Sequence, residues 1–306
     1  MMITGKPMSR SVIQQEDTAD QTARRKENQK NDDESALPRD PEDIDIFTKL
    51  IHNLSKSTDY NIIILKTRSV DWELIDEMYK HVTEKFVDSI LLPEDLQKVL
   101  LTYDHLALGR RRSDNAIVAM TVVRAEIDVI DGKRYNLIRA GLAYVDKEYQ
   151  NGVFFPAVRA YFSLKELMLF PDIPLYHVAK CYSYKGYLTA IAMKHGKAYP
   201  TYDKATPEWE KKMIIKYGRK YETNFNEETF VVKCNHTKVQ ENSAILSDKN
   251  KANPHINFYC SQNPEWIKGH SLITIAHCTW NDVGDLLKKA TMKSQYLQQA
   301  SLKSNL

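Results

Sequence analysis

The chain has 306 residues, a formal net charge of +3 and 42% apolar residues, enough to bury one large core or two small ones. At a mean hydropathy of −0.50 it holds no apolar run long enough to cross a bilayer, and its N-terminus lacks the apolar stretch of a secretory signal. Cys181, Cys234, Cys260 and Cys278 share no tight spacing, which fits reduced thiols in a cytoplasmic protein better than a disulfide framework.

Charge is unevenly spread. Residues 1–45 carry seven Lys/Arg and eleven Asp/Glu, which leaves an excess of about +7 on the remainder, a modest bias towards anionic ligands. Residues 1 to about 44 are rich in Gln, Asn, Asp, Glu, Lys and Ser, and cannot bury enough surface to offset the entropy of ordering. We therefore expect a disordered leader over 1–44 and one folded domain over 45–300.

Asn61–Leu65 is a short apolar run suited to a strand. Ser69 is placed to cap a helix with Trp72, Ile75, Tyr79, Val82 and Phe86 on one face, and a second helix is expected from Pro93 to Thr102. Three strands follow: His105–Arg110, Asn115 to about Ile130, and Lys133–Val145, the last two joined by the hairpin signal Asp131-Gly132. A well-buried helix then runs from Phe154 to about Phe170, stopping before Pro171. Leu175–Tyr182 alternates like a strand, and Ser183 is placed to cap the next helix. Thr206-Pro207-Glu208 reads as a helix start, with an end near Gly218. Glu228–Cys234, His255–Cys260 and Ser271–Cys278 read as strands, Lys238–Pro254 as a polar loop, and Asn281 as the cap of a C-terminal helix.

The segment from Arg139 to Pro156 is the most informative. An apolar strand enters a Gly-bearing turn and a helix begins at once, an arrangement that aims free backbone N–H groups and a helix dipole at one point. Gln150, Asn151, Gly152 and Val153 are the candidate anion-binding amides, with Arg110, Arg111, Arg112 and Arg159 as ionic partners. The alternative is an ordinary turn in which Gly152 supplies a special backbone angle.

The order β-α-α-β-β-β-α-β-α, with Ala140–Val145, the turn Tyr149–Gly152, the helix from Val153 and Pro174–Tyr184, resembles the GNAT (GCN5-related N-acetyltransferase) superfamily. Tyr182-Ser-Tyr184, Lys197–Pro200, Thr206-Pro207, Phe258–Pro264 and Gly269 resemble a group of largely uncharacterised bacterial GNAT-like proteins. The resemblance implies an α/β fold: a mixed sheet with helices on both faces and splayed fourth and fifth strands. It also implies an acyltransferase moving an acyl group from acetyl-CoA, or another acyl-CoA, to a small-molecule or protein amine. Tyr144 and Val145 would then border the pantetheine arm, and the turn before the third helix would hold the pyrophosphate. Against the family pattern Gln/Arg-x-x-Gly-x-Gly/Ala, this chain has its single glycine one position early and Phe155 in place of a small residue.

Direct acyl transfer needs a base for the amine, an oxyanion donor and an acid for the thiolate. Asp146 and Glu148, near the end of the fourth strand, are candidate bases; Tyr182 and Tyr184, just past the fifth, are candidate acids. The rival is a GNAT-shaped binding protein without turnover. A covalent route through Cys181, on the same strand face as His177, is weighed against a buried inert thiol. A metal held by Cys234, His236, His255 and Cys260 lacks the knuckle spacing, so no metal site is expected. Arg110–Arg112 reads as a solvated strand edge rather than a nucleic-acid patch. No membrane partner is expected, and a homodimer is left open.

Overall fold

Nine strands form one sheet in the order β1-β2-β3-β4-β5-β9-β8-β7, with β6 also pairing β9. The computed structural model describes residues 49–55, 58–85, 92–150, 152–192, 198–233 and 246–304, with side chains described except at 82–85, 192 and 293–304. The expected leader, Asn151, Cys234 and His236 lie outside them. Strands β1 (Tyr60–Lys66), β2 (His105–Arg111), β3 (Ile117–Ile130) and β4 (Lys133–Val145) pair in sequence, all antiparallel. β5 (Leu175–Cys181) is parallel to β4 and antiparallel to β9 (Ser271–Cys278). The short strands β6 (Ala198–Tyr199), β7 (Phe225–Asn226) and β8 (Val231–Val232) complete the sheet.

The helices divide between the two faces. On one lie α1 (Trp72–Lys85) and α2 (Pro93–Leu100), whose Ile75, Met78, Leu96 and Leu100 pack on Leu106, Leu108, Met120 and Val122. The same face carries α4 (Tyr184–Ala192), α5 (Glu208–Tyr221) and α6 (Pro254–Gln262), which bury Tyr187, Met213, Ile214 and Tyr259 over β4, β5 and β9. The opposite face is covered by α3 (Phe154–Leu169) and α7 (Trp280–Ser304), with Phe154, Val158, Phe162 and Val283 in one cluster. The sheet is mixed and carries helices on both faces, as expected, and burying both faces explains why β3 and β4 read as long apolar runs.

Asp131 (φ 50°) and Gly132 (φ 75°) make the two-residue turn that joins Ile130 to Lys133, as their residue types require. Ser183 caps α4, accepting from Gly186 N at 3.3 Å. Other ends depart from expectation. His255–Cys260 belongs to helix α6, not a strand: Asn253 Oδ1 accepts from the amides of His255 (2.9 Å) and Ile256 (3.4 Å), and Pro254 occupies the first turn. Among the described residues of Glu228–Cys234, only Val231–Val232 is a strand, and Phe230 just before it sits at φ 58°. α1 is capped by Asp71, not Ser69, through Leu74 N at 2.9 Å; Trp72 is exposed, and Met78 rather than Trp72 joins the core. α5 begins after Pro207 with no side-chain cap and continues past Gly218 to Tyr221. α7 is capped by Thr279, not Asn281, since Thr279 and Asp282 exchange bonds at 2.8 and 3.4 Å. Within the expected loop Lys238–Pro254, Asp248–Lys251 is a helical turn capped by Ser247.

Candidate functional site

Pairing between β4 and β5 covers only Asn136–Arg139 against Leu175–Val178. β4 continues through Ala140–Val145 and β5 through Ala179–Cys181 without pairing to each other. The divergence begins earlier in β4 than Tyr144, and its cause is local. Leu142 and Ala143 together oppose the single residue Thr121, and Leu142 has φ 46°. Such a bulge bends its strand and sharpens the local twist, which carries the end of β4 away from β5. Thr121 Oγ1 donates to the Gly141 carbonyl at 3.0 Å and holds the bulge to β3. The result is an opening in the ladder, along which Ala140–Val145 of β4 has no β5 partner.

Cross-strand partners share a face, so Arg139, Gly141 and Tyr144 lie on the α1/α2/α5 side with Arg124, Val122 and Met120. Period-two alternation puts Lys180 on that side of β5, where it pairs with Glu222 at 2.9 Å. Burial alone would lower the Lys180 pKa, but Tyr182 and Glu222 beside it hold it above its ordinary value. Tyr217, on α5, is buried, which drives its phenol well above the usual range; Tyr103, Lys180, Glu222 and Arg139 are the charges it feels next. Tyr103 lies directly on Gly141. A Cβ there would stand 2.4 Å from the Tyr103 hydroxyl, so glycine is required for this approach. Arg139, Tyr103 and Tyr217 were not singled out in the sequence; only the turn-proximal residues carried a motif signal.

The expected catalytic residues lie at or just past the ends of β4 and β5. Tyr182 directly follows β5, half-buried, with Lys180 Nζ 5.9 Å from its ring centroid. Tyr184 is 4% exposed, stacked edge-on to Trp266, and its hydroxyl accepts from Asn250 Nδ2 at 3.0 Å. Asp146 accepts a hydrogen bond from the Tyr144 hydroxyl, and its amide bonds Val118 O at 2.8 Å. Tyr144 is buried near His81, and Glu148 is exposed in the turn Lys147–Tyr149. Val145 is half-buried at the end of β4.

On the opposite face, α3 begins behind the turn. Gln150 is exposed, and the Gly152 amide donates to Tyr149 O at 3.1 Å. Gly152 does not have positive φ; a Cβ would meet the Tyr149 carbonyl at 2.8 Å, so close backbone approach is what requires glycine. Val153 is fully buried and precedes Phe154. The hydroxyl of Tyr60, 2% exposed, faces the amides of Val153 and Phe154 without the alignment of a full hydrogen bond. Burial pushes this phenol up to about 12, partly offset by the two amides. Pro156, at the third helical position, has no N–H to offer. The helix N-terminus is thus largely filled from within, and it fits a diphosphate poorly.

The remaining candidates have structural partners. Cys181 is 2% exposed and burial raises its thiol to about 11, with Thr274 and Arg159 lowering it in part. His177 bonds Ser163 Oγ at 2.8 Å through Nε2. Arg110 pairs with Glu77 at 2.7 Å, Arg111 with Asp114 at 3.1 Å, and Arg112 donates to Asn61 and Ser55, each at 3.0 Å. His255 and Cys260 lie on α6.

No family model matches this chain, and neither does any curated protein. Among solved structures, it is similar to a probable N-acyltransferase from Enterococcus faecalis V583, at 16% identity over 43% of this chain and 32% of that one, with TM-score 0.32. An acetyltransferase of the GNAT family from Bacillus anthracis aligns at 10% identity over 39% and 70%, TM-score 0.27. The Saccharomyces cerevisiae N-myristoyltransferase with bound myristoyl-CoA aligns at 10% identity over 58% and 42%, TM-score 0.32. Among the described residues no helix is long and apolar enough to cross a membrane.

Proposed function

We propose that the chain transfers an acyl group from a pantetheine thioester, with acyl-coenzyme A as donor, to an amine. The observation that carries this reading is the end of β4–β5 pairing at Arg139 and Val178 while β4 runs on through Val145. An extended thioester arm can add to the free edge of β4 much as a peptide adds to a sheet edge. The amine nitrogen attacks the thioester carbon, forming the C–N bond; a β4 amide stabilises the oxyanion, and collapse breaks the C–S bond. Asp146, with Tyr144 bonded to it, and Glu148 are the proposed acceptors of the amine's proton. Tyr182 is the proposed donor to the departing thiolate, favoured over Tyr184 because Tyr182 is half-buried whereas Tyr184 is 4% exposed. Gln150, Asn151, Gly152 and Val153 would border the donor's outer end, but the filled α3 N-terminus gives its diphosphate little grip.

The test compares acetyl-coenzyme A with acetyl-pantetheine on the full chain, by thermal stabilisation and by thiol release with an amine mixture. Both donors are expected to raise the melting temperature by similar amounts, since a ligand bound only to the native state stabilises it, and to release thiol. No shift from either at millimolar concentration would overturn the proposal. A shift without thiol release supports a second reading, a binding protein of this fold, which the packing of Tyr103 on Gly141 favours.

A further inference from the structure

Arg124 on β3 and Arg139 on β4 are direct cross-strand partners on the α1/α2/α5 face. Side chains so placed have Cβ atoms roughly 4.5–5.5 Å apart, and like charges there repel. Arg139 is 5% exposed and forms the last β4 pair before the opening. Its guanidinium lies 4.4 Å from the Tyr103 ring centroid and 4.3 Å from that of Tyr221, and it donates to Thr102 O. Among the described residues no carboxylate forms an ion pair with it. Glu126, the nearest acid of the cluster, is taken by Tyr221 at 2.5 Å, Lys220 at 3.3 Å and Arg124 at 3.7 Å. The Nε atoms of both arginines are buried with no hydrogen-bond partner.

Arg124 keeps Glu126 as its counter-ion at 3.7 Å, but Arg139 beside it is buried without one, which is costly. Ring faces and one carbonyl recover part of that cost, but neither supplies negative charge. The rest is recovered when an anion arrives. The unpartnered Arg139 Nε–H and the neighbouring Arg124 guanidinium, which holds Glu126 only at 3.7 Å, can together take the two oxygens of a single carboxylate. The next β4 position on this face, Gly141, is about 7 Å along the strand and lies inside the opening, so a carboxylate held here leaves an amine a few bonds away near the thioester.

We propose that Arg124 and Arg139 bind the carboxylate of the acceptor, which makes the acceptor an amino acid or a similar carboxylated amine. The inference rests on the acyl-transfer reading for the word acceptor, but the site itself is tested by binding alone. Titration calorimetry on the full chain would compare L-phenylalanine with phenethylamine and L-lysine with cadaverine, and inorganic phosphate would be run as a competitor. At least one carboxylated member is expected to bind tenfold or more tightly than its decarboxylated twin. Arg124→Gln, at the more exposed position, and Arg139→Lys should each reduce that preference at least tenfold while the amines' affinities hold. Equal binding within both pairs, no binding by any of the four, or displacement by phosphate at lower concentration than by carboxylate would overturn the proposal. A retained preference in the folded Arg124→Gln protein would do the same. Carboxylate preference without thiol release would leave this site standing and remove the acyl-transfer reading instead.

Discussion

On the α1/α2/α5 side, the opening between β4 and β5 is bordered by Arg139, Tyr103, Tyr217, Lys180 and Tyr182, a charged and phenolic rim in which the Arg139 Nε is buried without a hydrogen-bond partner. On the α3 side the same opening meets Phe154, Phe155, Pro156 and the Tyr60 hydroxyl, which close the helix N-terminus. Both regions flank one pair of diverging strands, yet one carries a buried unpartnered donor and the other packs its own phenol against the helix amides. Under the proposed function the contrast separates two needs of the donor: a strand edge for its thioester arm, and a cradle for its diphosphate. A helix N-terminus binds an anion only when its amides are free and reachable.

The most damaging substitution expected on the open side is Gly141→Val. Its Cβ would meet Tyr103 at 2.4–2.8 Å, so the ring must leave Arg139, and overpacking of this kind costs about 1–3 kcal/mol. Calorimetry should show the loss and thiol-release assays a drop of at least tenfold. Tyr103→Ala in the same chain should restore most of the stability. A Gly141→Val protein as stable as its parent would mean that Tyr103 is not seated on β4.

Next in size is the pair of tyrosines after β5. Tyr182→Phe is expected to lower kcat at least tenfold with KM held, a floor below the roughly 10²–10⁴-fold contribution of general acid catalysis. Tyr184→Phe should leave kcat unchanged and cost about 1 kcal/mol of stability through the lost Asn250 bond. The reverse pattern would move the acid to Tyr184.

The smallest effects belong to the closed side. Tyr60→Phe should free the amides of Val153 and Phe154 and strengthen coenzyme A binding severalfold relative to pantetheine, measured by titration. An unchanged ratio would show that Tyr60 does not occlude the turn. Tyr60 also has a pH signature. Its folded pKa, pushed up to about 12, exceeds the ordinary phenol value of 10.0, so its contribution is complete below pH 10 and is lost as pH rises towards 12. Alkaline unfolding of Tyr60→Phe should therefore show a shallower decline across that window.

Much of the scaffold was legible because its signals are local. The apolar runs of β3 and β4, the Asp131-Gly132 turn and the continuous apolar character of α3 each depend on neighbours in the chain. The errors arose where two local readings competed. His255–Cys260 alternates like a strand, but Asn253-Pro254 begins a helix and its cap prevails. Thr279 and Asp282, rather than Asn281, form the reciprocal cap that starts α7.

The site divides along the same line. Sequence by itself determined that a strand, a Gly-bearing turn and a helix would meet near Gly152, and that tyrosines and carboxylates would gather at the ends of β4 and β5. Only the tertiary structure decided that Tyr60, ninety residues upstream of Gln150, would close that turn. It likewise decided that Arg124 would face Arg139 across the sheet, with Tyr103 and Tyr221 on the latter's guanidinium. The reason is physical: a strand's alternation and a turn's backbone preference are properties of adjacent residues, whereas the counter-charge and the plug come from segments brought together by strand register and helix packing.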